Sequence, residues 1–204
     1  MSGFLIGLAV GCGLLIALVR RRRSAIALFA LQSLALGMGA IAVSTGYGES
    51  SLAAVALVLR GISLPALLAL LRRRTPEPRP VAATLPVSAR LLLVAGSALL
   101  AAAWLPDLGT GDRAAEQGAI ALVAIGIAVV ALRRPTLFQA IGLLIAENGA
   151  YLLAASIPGG VPGLIELGIA FDLVAITAVV IAFSFRIHRE LGSGDTDLLR
   201  GLRD

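Results

Sequence analysis

The sequence predicts an all-α, polytopic membrane protein with seven transmembrane helices, its N-terminus outside and its C-terminus in the cytoplasm. Three observations predict this class. The 204-residue chain is 58% hydrophobic with a mean hydropathy of +0.96, which leaves too little polar surface to cover a soluble domain. Apolar runs of about 20 residues, the length a helix needs to cross a bilayer core, recur along the chain. Arginines gather in the short connections between those runs.

The seven apolar runs take up most of the chain, and each is long enough for one membrane crossing. They extend over residues 2–19, 24–45, 51–71, 89–105, 114–132, 136–156 and 163–185. The first run precedes its basic cluster, whereas a signal peptide carries its basic residues first. We therefore expect the first run to be a retained helix.

Arginines occupy every second connection. Basic blocks lie at residues 20–23, 72–79, 133–134 and 186–189, while the other connections carry acidic residues or no net basic excess. By the positive-inside rule this alternation predicts the orientation of the seven spans. Because the arginines form short blocks instead of following one helix face, the net charge of +5 does not indicate nucleic-acid binding.

One segment predicts an internal boundary. Residues 72–88 hold four prolines and four arginines and predict a cytoplasmic linker. It divides three N-terminal helices in residues 1–71 from four helices in residues 89–190. Residues 191–204 predict a cytoplasmic tail, and the glycine-rich connection 157–163 predicts that the last two helices form an antiparallel pair.

Motifs for self-contained catalysis are missing from the sequence. It has no phosphate-binding glycine loop ending in Lys-Ser/Thr, no HExxH and no nucleophile paired with histidine at membrane depth. The single Cys12 excludes a multi-thiolate metal or iron–sulfur site within the chain. We therefore expect a non-catalytic protein that binds no cofactor or metal.

Three charged residues lie inside the apolar runs and are the candidate functional residues: Arg60, Glu147 and Asp172. Each is 12 to 14 residues from the nearest predicted cytoplasmic arginine, a distance of about 18 to 21 Å along a helix. All three therefore share one level near the middle of the membrane. Glu166 is 20 residues from Arg186, about 30 Å away, and is expected near the outer interface.

Intramembrane charges usually mark an ion pathway or a structural ion pair. In the functional interpretation, Glu147, Asp172 and Glu166 are proton-relay candidates, and the charge of Arg60 tunes their proton affinity. Asn148 and Tyr151 project from the same side of the helix as Glu147 and would give polar support. In the structural interpretation, the same residues only hold helices together.

The stretch 133–172 resembles hydrogenase-4 component E, a membrane subunit of group 4 energy-converting [NiFe] hydrogenases and formate hydrogenlyases. The resemblance lies in ENG at 147–149 and ELGIAFD at 166–172. It extends to LQSLAL at 31–36, to the basic residue and proline at Arg60 and Pro65, and to the closing DTDLLRGL. It thus covers the whole chain, and seven helices with an outside N-terminus fit that family.

The last three helices, residues 114–190, also resemble the K subunit of respiratory complex I. The resemblance implies a membrane acid on each of two helices, and here the first acid is displaced by one turn to Glu147. The second acid is either Asp172 or Glu166, and depth favours Asp172. Arg60 stands where the hydrogenase family has lysine. Because arginine does not readily deprotonate, a proton-relay role at that position is not expected.

These resemblances imply a non-catalytic subunit of a complex-I-like hydrogenase in a bacterial or archaeal cytoplasmic membrane. The implied partners are antiporter-like membrane subunits, a peripheral [NiFe]-hydrogenase-like arm and the lipid bilayer. Two alternatives stay open: a subunit of a cation/proton antiporter complex without a redox arm, and a structural scaffold. A self-sufficient transporter is a weaker alternative, because no inverted repeat is visible.

Overall fold

The structure is a computed structural model that describes residues 2–43, 54–74, 85–104, 106, 108–157 and 163–191. Within these ranges the chain forms seven helices in chain order. They are α1 (Gly3–Leu18), α2 (Arg22–Val43), α3 (Ala54–Arg74), α4 (Val87–Trp104), α5 (Arg113–Leu132), α6 (Thr136–Ala155) and α7 (Gly163–Leu191).

The all-α membrane class predicted from the sequence is confirmed. Six of the described helices are long and apolar enough to cross a membrane, and α1, with 16 residues, is a shorter apolar helix. The predicted runs agree with the described helices to within a few residues. Helix α7 extends past the apolar run 163–185 to Leu191, next to residue 190, where the last of the predicted helices ends. Arg186 and Glu190 form an i,i+4 ion pair of 3.2 Å in its last turns.

Parts of three predicted features fall outside the described residues. These parts are residues 75–84 of the predicted linker, residues 158–162 of the predicted glycine-rich loop and residues 192–204 of the predicted tail. The division into 1–71, 89–190 and 191–204 therefore stays a prediction.

Helices α5 and α6 pack through their backbones. A Cβ atom added at Gly126 would lie 2.5 Å from the amide nitrogen of Ala146 and from the carbonyl oxygen of Gly142. Glycine on both helices therefore permits a separation that any larger residue would prevent, as is common between membrane helices. This close contact with α5 fixes the position of α6.

The remaining helices surround this pair. Helix α1 packs against α2, α4 and α5, and α2 packs against α3 and α6. Helix α7 contacts both α3 and α6. Helix α6 consequently has neighbours on several sides, and its polar residues can meet side chains from α2, α3 and α7.

Helix α3 contains a π-helical turn at Leu59–Ser63, which the sequence analysis did not predict. The amide of Leu64 donates to the carbonyl of Leu59, five residues earlier. Pro65 follows directly; it has no N–H, and in a regular α-helix its ring would press on the carbonyl of Gly61. The wider turn relieves this crowding, and such turns are frequent at functional sites.

The connection before α5 is a compact loop. The Oδ1 atom of Asp112 accepts a hydrogen bond from the amide of Ala115, which caps the helix and lowers the pKa of Asp112. Buried Glu116 accepts from the amide and the hydroxyl of Thr110 and pairs with Arg113 at 3.2 Å. These acidic and basic residues therefore stabilise the start of α5.

Candidate functional site

Arg60 lies in the π-helical turn of α3 and is buried, with only 2% of its surface exposed. Its Nη1 atom donates to the Oδ1 atom of Asn148 on α6 at 3.5 Å, a long hydrogen bond. Its guanidinium carbon also lies 4.0 Å from the centre of the Tyr151 ring, in a cation–π contact. The mid-membrane cation is thus held against one face of α6.

Asn148 extends this contact to a third helix. Its Nδ2 atom donates to the hydroxyl oxygen of Ser33 on α2 at 3.3 Å. Asn148 and Ser33 are each 1% exposed, so both hydrogen bonds of the amide lie inside the bundle. We name Arg60, Asn148, Tyr151 and Ser33 the polar cluster; it joins α2, α3 and α6.

The local sequence of α6 explains why the polar cluster faces inward. Asn148 and Tyr151 are three residues apart and therefore share one face of the helix. Gly149 lies on the side of α6 that contacts α5, where an added Cβ would be 2.6 Å from the carbonyl oxygen of Ala119. Close packing against α5 on one side thus presses the Asn148–Tyr151 face towards α2 and α3.

Glu147 is half-buried beside the polar cluster. Arg60 and Asp172 are both close enough for their charges to act on its carboxyl group. Glu147 therefore interacts electrostatically with each of the other two charges. The three do not share one buried pocket, because Asp172 is exposed on the surface of α7. The next residue, Leu173, is buried, and so is Thr177 one turn further along α7.

Glu166 also lies on α7, but its side chain is outside what the structure describes. It precedes Asp172 by six residues, about 9 Å along the helix. Its predicted role as an outer acid therefore stays a prediction.

One member of the polar cluster, Ser33, is not among the residues predicted from the sequence. A signal was present, because Gln32 and Ser33 are adjacent polar residues in the LQSLAL segment of α2. Gln32 donates from Nε2 to the carbonyl of Ala9 at 3.0 Å and joins α2 to α1. Two neighbouring polar side chains in an apolar run thus make two separate interhelical contacts.

Among the residues that the structure describes, no group of three or more His, Cys, Asp or Glu side chains could hold a metal ion. The site offers instead a fixed cation, a neutral amide, a phenol ring and the half-buried carboxyl group of Glu147. Such a set can bind and release protons or hold helices together.

Fold and site define a multi-pass, all-α membrane protein with a buried polar cluster at mid-span. The uncharacterized protein Rv0085 of Mycobacterium tuberculosis is 32% identical, and the match covers 98% of this chain and 95% of that protein. The chain belongs to the family of this mycobacterial protein. Hydrogenase-4 component E of Escherichia coli K12 and of Shigella flexneri is 27% identical over the same shares.

The resemblance to hydrogenase-4 component E is therefore confirmed as a distant family relationship over nearly the whole chain. No family model matches the sequence. No solved structure matches it.

Proposed function

We propose that the chain is a non-catalytic membrane subunit of a complex-I-like, energy-converting hydrogenase. In this role it links electron transfer in a peripheral [NiFe]-hydrogenase-like arm to the translocation of protons or sodium ions. The distant relationship to hydrogenase-4 component E suggests the class of complex. The observation that supports the role within it is the contact of buried Arg60 with Asn148 and Tyr151, which lie on the same turns of α6 as Glu147.

A carboxyl group beside a fixed cation in a membrane suits a proton relay. Arg60 keeps its charge because guanidinium loses its proton only at very high pH, so it provides a constant attraction for a nearby anion. Burial acts in the opposite direction and favours the neutral acid. Both effects act at Glu147, which is half-buried and directly precedes Asn148, the residue that Arg60 contacts. Asp172 is the second acid of the proposed relay.

Asp172 supports a role as a subunit. An exposed carboxylate at mid-membrane depth would cost about 2.5 kcal/mol or more against lipid. The adjacent Phe171 is 70% exposed on the same helix. We infer that a neighbouring antiporter-like membrane subunit covers this part of α7 and presents a polar or cationic group to Asp172.

The proposal includes the membrane arrangement predicted from the arginine blocks. All seven helices cross the cytoplasmic membrane of a bacterium or archaeon, with the N-terminus outside and the C-terminus in the cytoplasm. The linker 72–88 then lies in the cytoplasm, and Glu166 serves as an acid near the outer side. No cofactor or metal is expected in this chain.

A second candidate function is a structural scaffold. The hydrogen bonds from Arg60 to Asn148 and from Asn148 to Ser33 favour it, because they join three helices without any need for proton transfer. The two functions differ in what Glu147 does. A scaffold needs only the hydrogen-bonding capacity of this side chain, whereas a relay needs its proton.

The partners of the chain test the proposed function. The protein is purified from its native membranes in mild detergent through a C-terminal tag, and co-purifying proteins are identified by mass spectrometry. Recovery of a [NiFe]-type large subunit, iron–sulfur proteins and antiporter-like subunits is the expected result. Recovery of antiporter-like subunits without any redox protein would contradict the hydrogenase proposal and support an antiporter complex. Recovery of the chain alone would contradict both.

A further inference from the structure

Two buried arginines lie at the end of the bundle where α1 ends, far from the polar cluster. Arg90 is in the first turn of α4, and Arg133 directly follows α5. The Nη1 atom of Arg90 donates to the carbonyl of Ala17 at 3.2 Å, and the Nη2 atom of Arg133 donates to the carbonyl of Val19. The two guanidinium groups thus bind carbonyls two residues apart, at the negative end of the α1 dipole.

Most of the hydrogen-bonding capacity of this pair is unused. In the part of the chain that the structure describes, the Nε and Nη2 atoms of Arg90 and the Nε and Nη1 atoms of Arg133 are buried and have no hydrogen-bond partner. The two residues are only 1% and 3% exposed. Among the described residues, both guanidinium groups donate to main-chain carbonyls, which carry only partial charge. Two cations are therefore buried without a full counter-charge.

The electrostatics of Arg133 agree with a missing anion. Burial, together with the charges of Arg90 and Arg20, lowers the pKa of Arg133 to about 10. Its guanidinium carbon lies 3.9 Å from the centre of the Phe138 ring, which fixes the plane of the group. Paired and oriented guanidinium groups are the usual ligands for phosphate, which they bind through two parallel hydrogen bonds.

We propose that Arg90 and Arg133 form a binding site for the phosphate of an anionic phospholipid headgroup. The pair lies at the ends of apolar membrane helices, the level at which headgroups begin. Basic pockets between helix ends are known sites for anionic lipids. Both groups are buried in the chain alone, so the proposed binding requires neighbouring side chains to move when the headgroup enters.

This site is independent of the proposed function. It needs only that the helices cross a membrane, and it holds for either orientation, because both membrane faces carry lipid phosphates. Failure of the hydrogenase proposal would leave it intact.

Native mass spectrometry of the delipidated full chain in detergent tests the site. Cardiolipin and phosphatidylglycerol are titrated, with phosphatidylcholine as the zwitterionic comparison, after equilibration at about 0.5 M salt to screen exposed charges. The expected result is preferential retention of the anionic lipids. The double variant R90Q/R133Q should then bind them about tenfold more weakly.

The control variant R21Q/R23Q removes the same number of charges at the same end, from exposed positions. It should change lipid binding by less than about twofold at this salt concentration. Equal losses in both double variants, or equal retention of phosphatidylcholine, would overturn the proposal. Circular dichroism and size-exclusion profiles check folding, and R90K/R133K, which keeps the charge but not the forked geometry, serves if the glutamine variant does not fold.

Inorganic phosphate distinguishes the source of the anion. The melting temperature of the delipidated chain is measured with phosphate and with a lipid of equal phosphate concentration. A larger increase with cardiolipin or phosphatidylglycerol, lost in R90Q/R133Q, is expected. An equal increase with inorganic phosphate would overturn the assignment to lipid.

Discussion

The two buried arginine regions of this bundle differ in how their charge is compensated. Arg60, at mid-span, contacts an amide and an aromatic ring of α6, and its charge acts on the half-buried carboxyl group of Glu147. Arg90 and Arg133, at the helix ends, donate to main-chain carbonyls of α1. The first region contains an acid that interacts with its cation, whereas two cations act on each other in the second, and we propose that a lipid phosphate compensates them.

The largest effect should follow removal of the mid-span cation. Arg60→Met deletes the contacts to Asn148 and Tyr151 and leaves the nearby acids without their cation. We expect the free energy of unfolding to fall by about 3 kcal/mol. Reversible unfolding in mixed detergent micelles measures this change, and Arg60→Lys, which keeps the charge, should lose less. A decrease below about 1 kcal/mol for the methionine variant would contradict internal compensation.

A smaller effect should follow removal of the amide that joins three helices. Asn148→Leu deletes the bonds to Arg60 and Ser33, and we expect a loss of about 1 to 2 kcal/mol, since single interhelical hydrogen bonds contribute about 0.6 on average. Ser33→Ala removes one bond and should lose about half as much. The same unfolding assay checks both. Equal losses would show that the contact between Arg60 and Asn148 contributes nothing.

Removal of the helix-end pair should change stability much less than removal of Arg60 when no anionic lipid is present. R90M/R133M removes two buried charges that lack counter-ions, so the free energy of unfolding should change by no more than about 1 kcal/mol in a zwitterionic detergent. Unfolding with added cardiolipin should then separate the wild type from the variant. A loss as large as that of Arg60→Met without lipid would remove the distinction between the two regions.

The smallest effect is expected at Thr177, which is buried on α7 and whose hydroxyl has no hydrogen-bond partner. Thr177→Val keeps the shape of the side chain and removes the unsatisfied group. The free energy of unfolding should stay within about 0.5 kcal/mol of the wild-type value or rise. A clear decrease would indicate a bound water or partner at this position.

The fold class and helix positions could be predicted because they depend on the length and polarity of local segments. Charges inside the runs likewise directed attention to Arg60, Glu147 and Asp172. The π-helical turn could not be predicted, since Pro65 signals a disturbance but packing against α2 and α7 decides how the helix accommodates it. The exposure of Asp172 also required the structure, because it depends on which face α7 turns towards its neighbours.

Ser33 and Arg133 show a further limit to what the sequence can predict. A single short hydroxyl in an apolar run is equally consistent with a helix contact and with a surface position, and only its distance to Asn148 separates the two. Arg133 was counted as one of several topology signals. Its burial beneath the end of α1 follows from the packing of α1 against α4 and α5, which no local pattern encodes.

The central claim is that the protonation of Glu147 couples electron transfer to ion movement. The most direct measurement is the number of protons translocated per electron by the purified complex in sealed vesicles, with Glu147→Gln compared with Glu190→Gln, which alters a carboxylate in the exposed pair with Arg186. We expect Glu147→Gln to assemble normally and to lower the ratio about tenfold or more, and Glu190→Gln to leave it unchanged. An unchanged ratio in an assembled Glu147→Gln complex would contradict the relay and favour the scaffold.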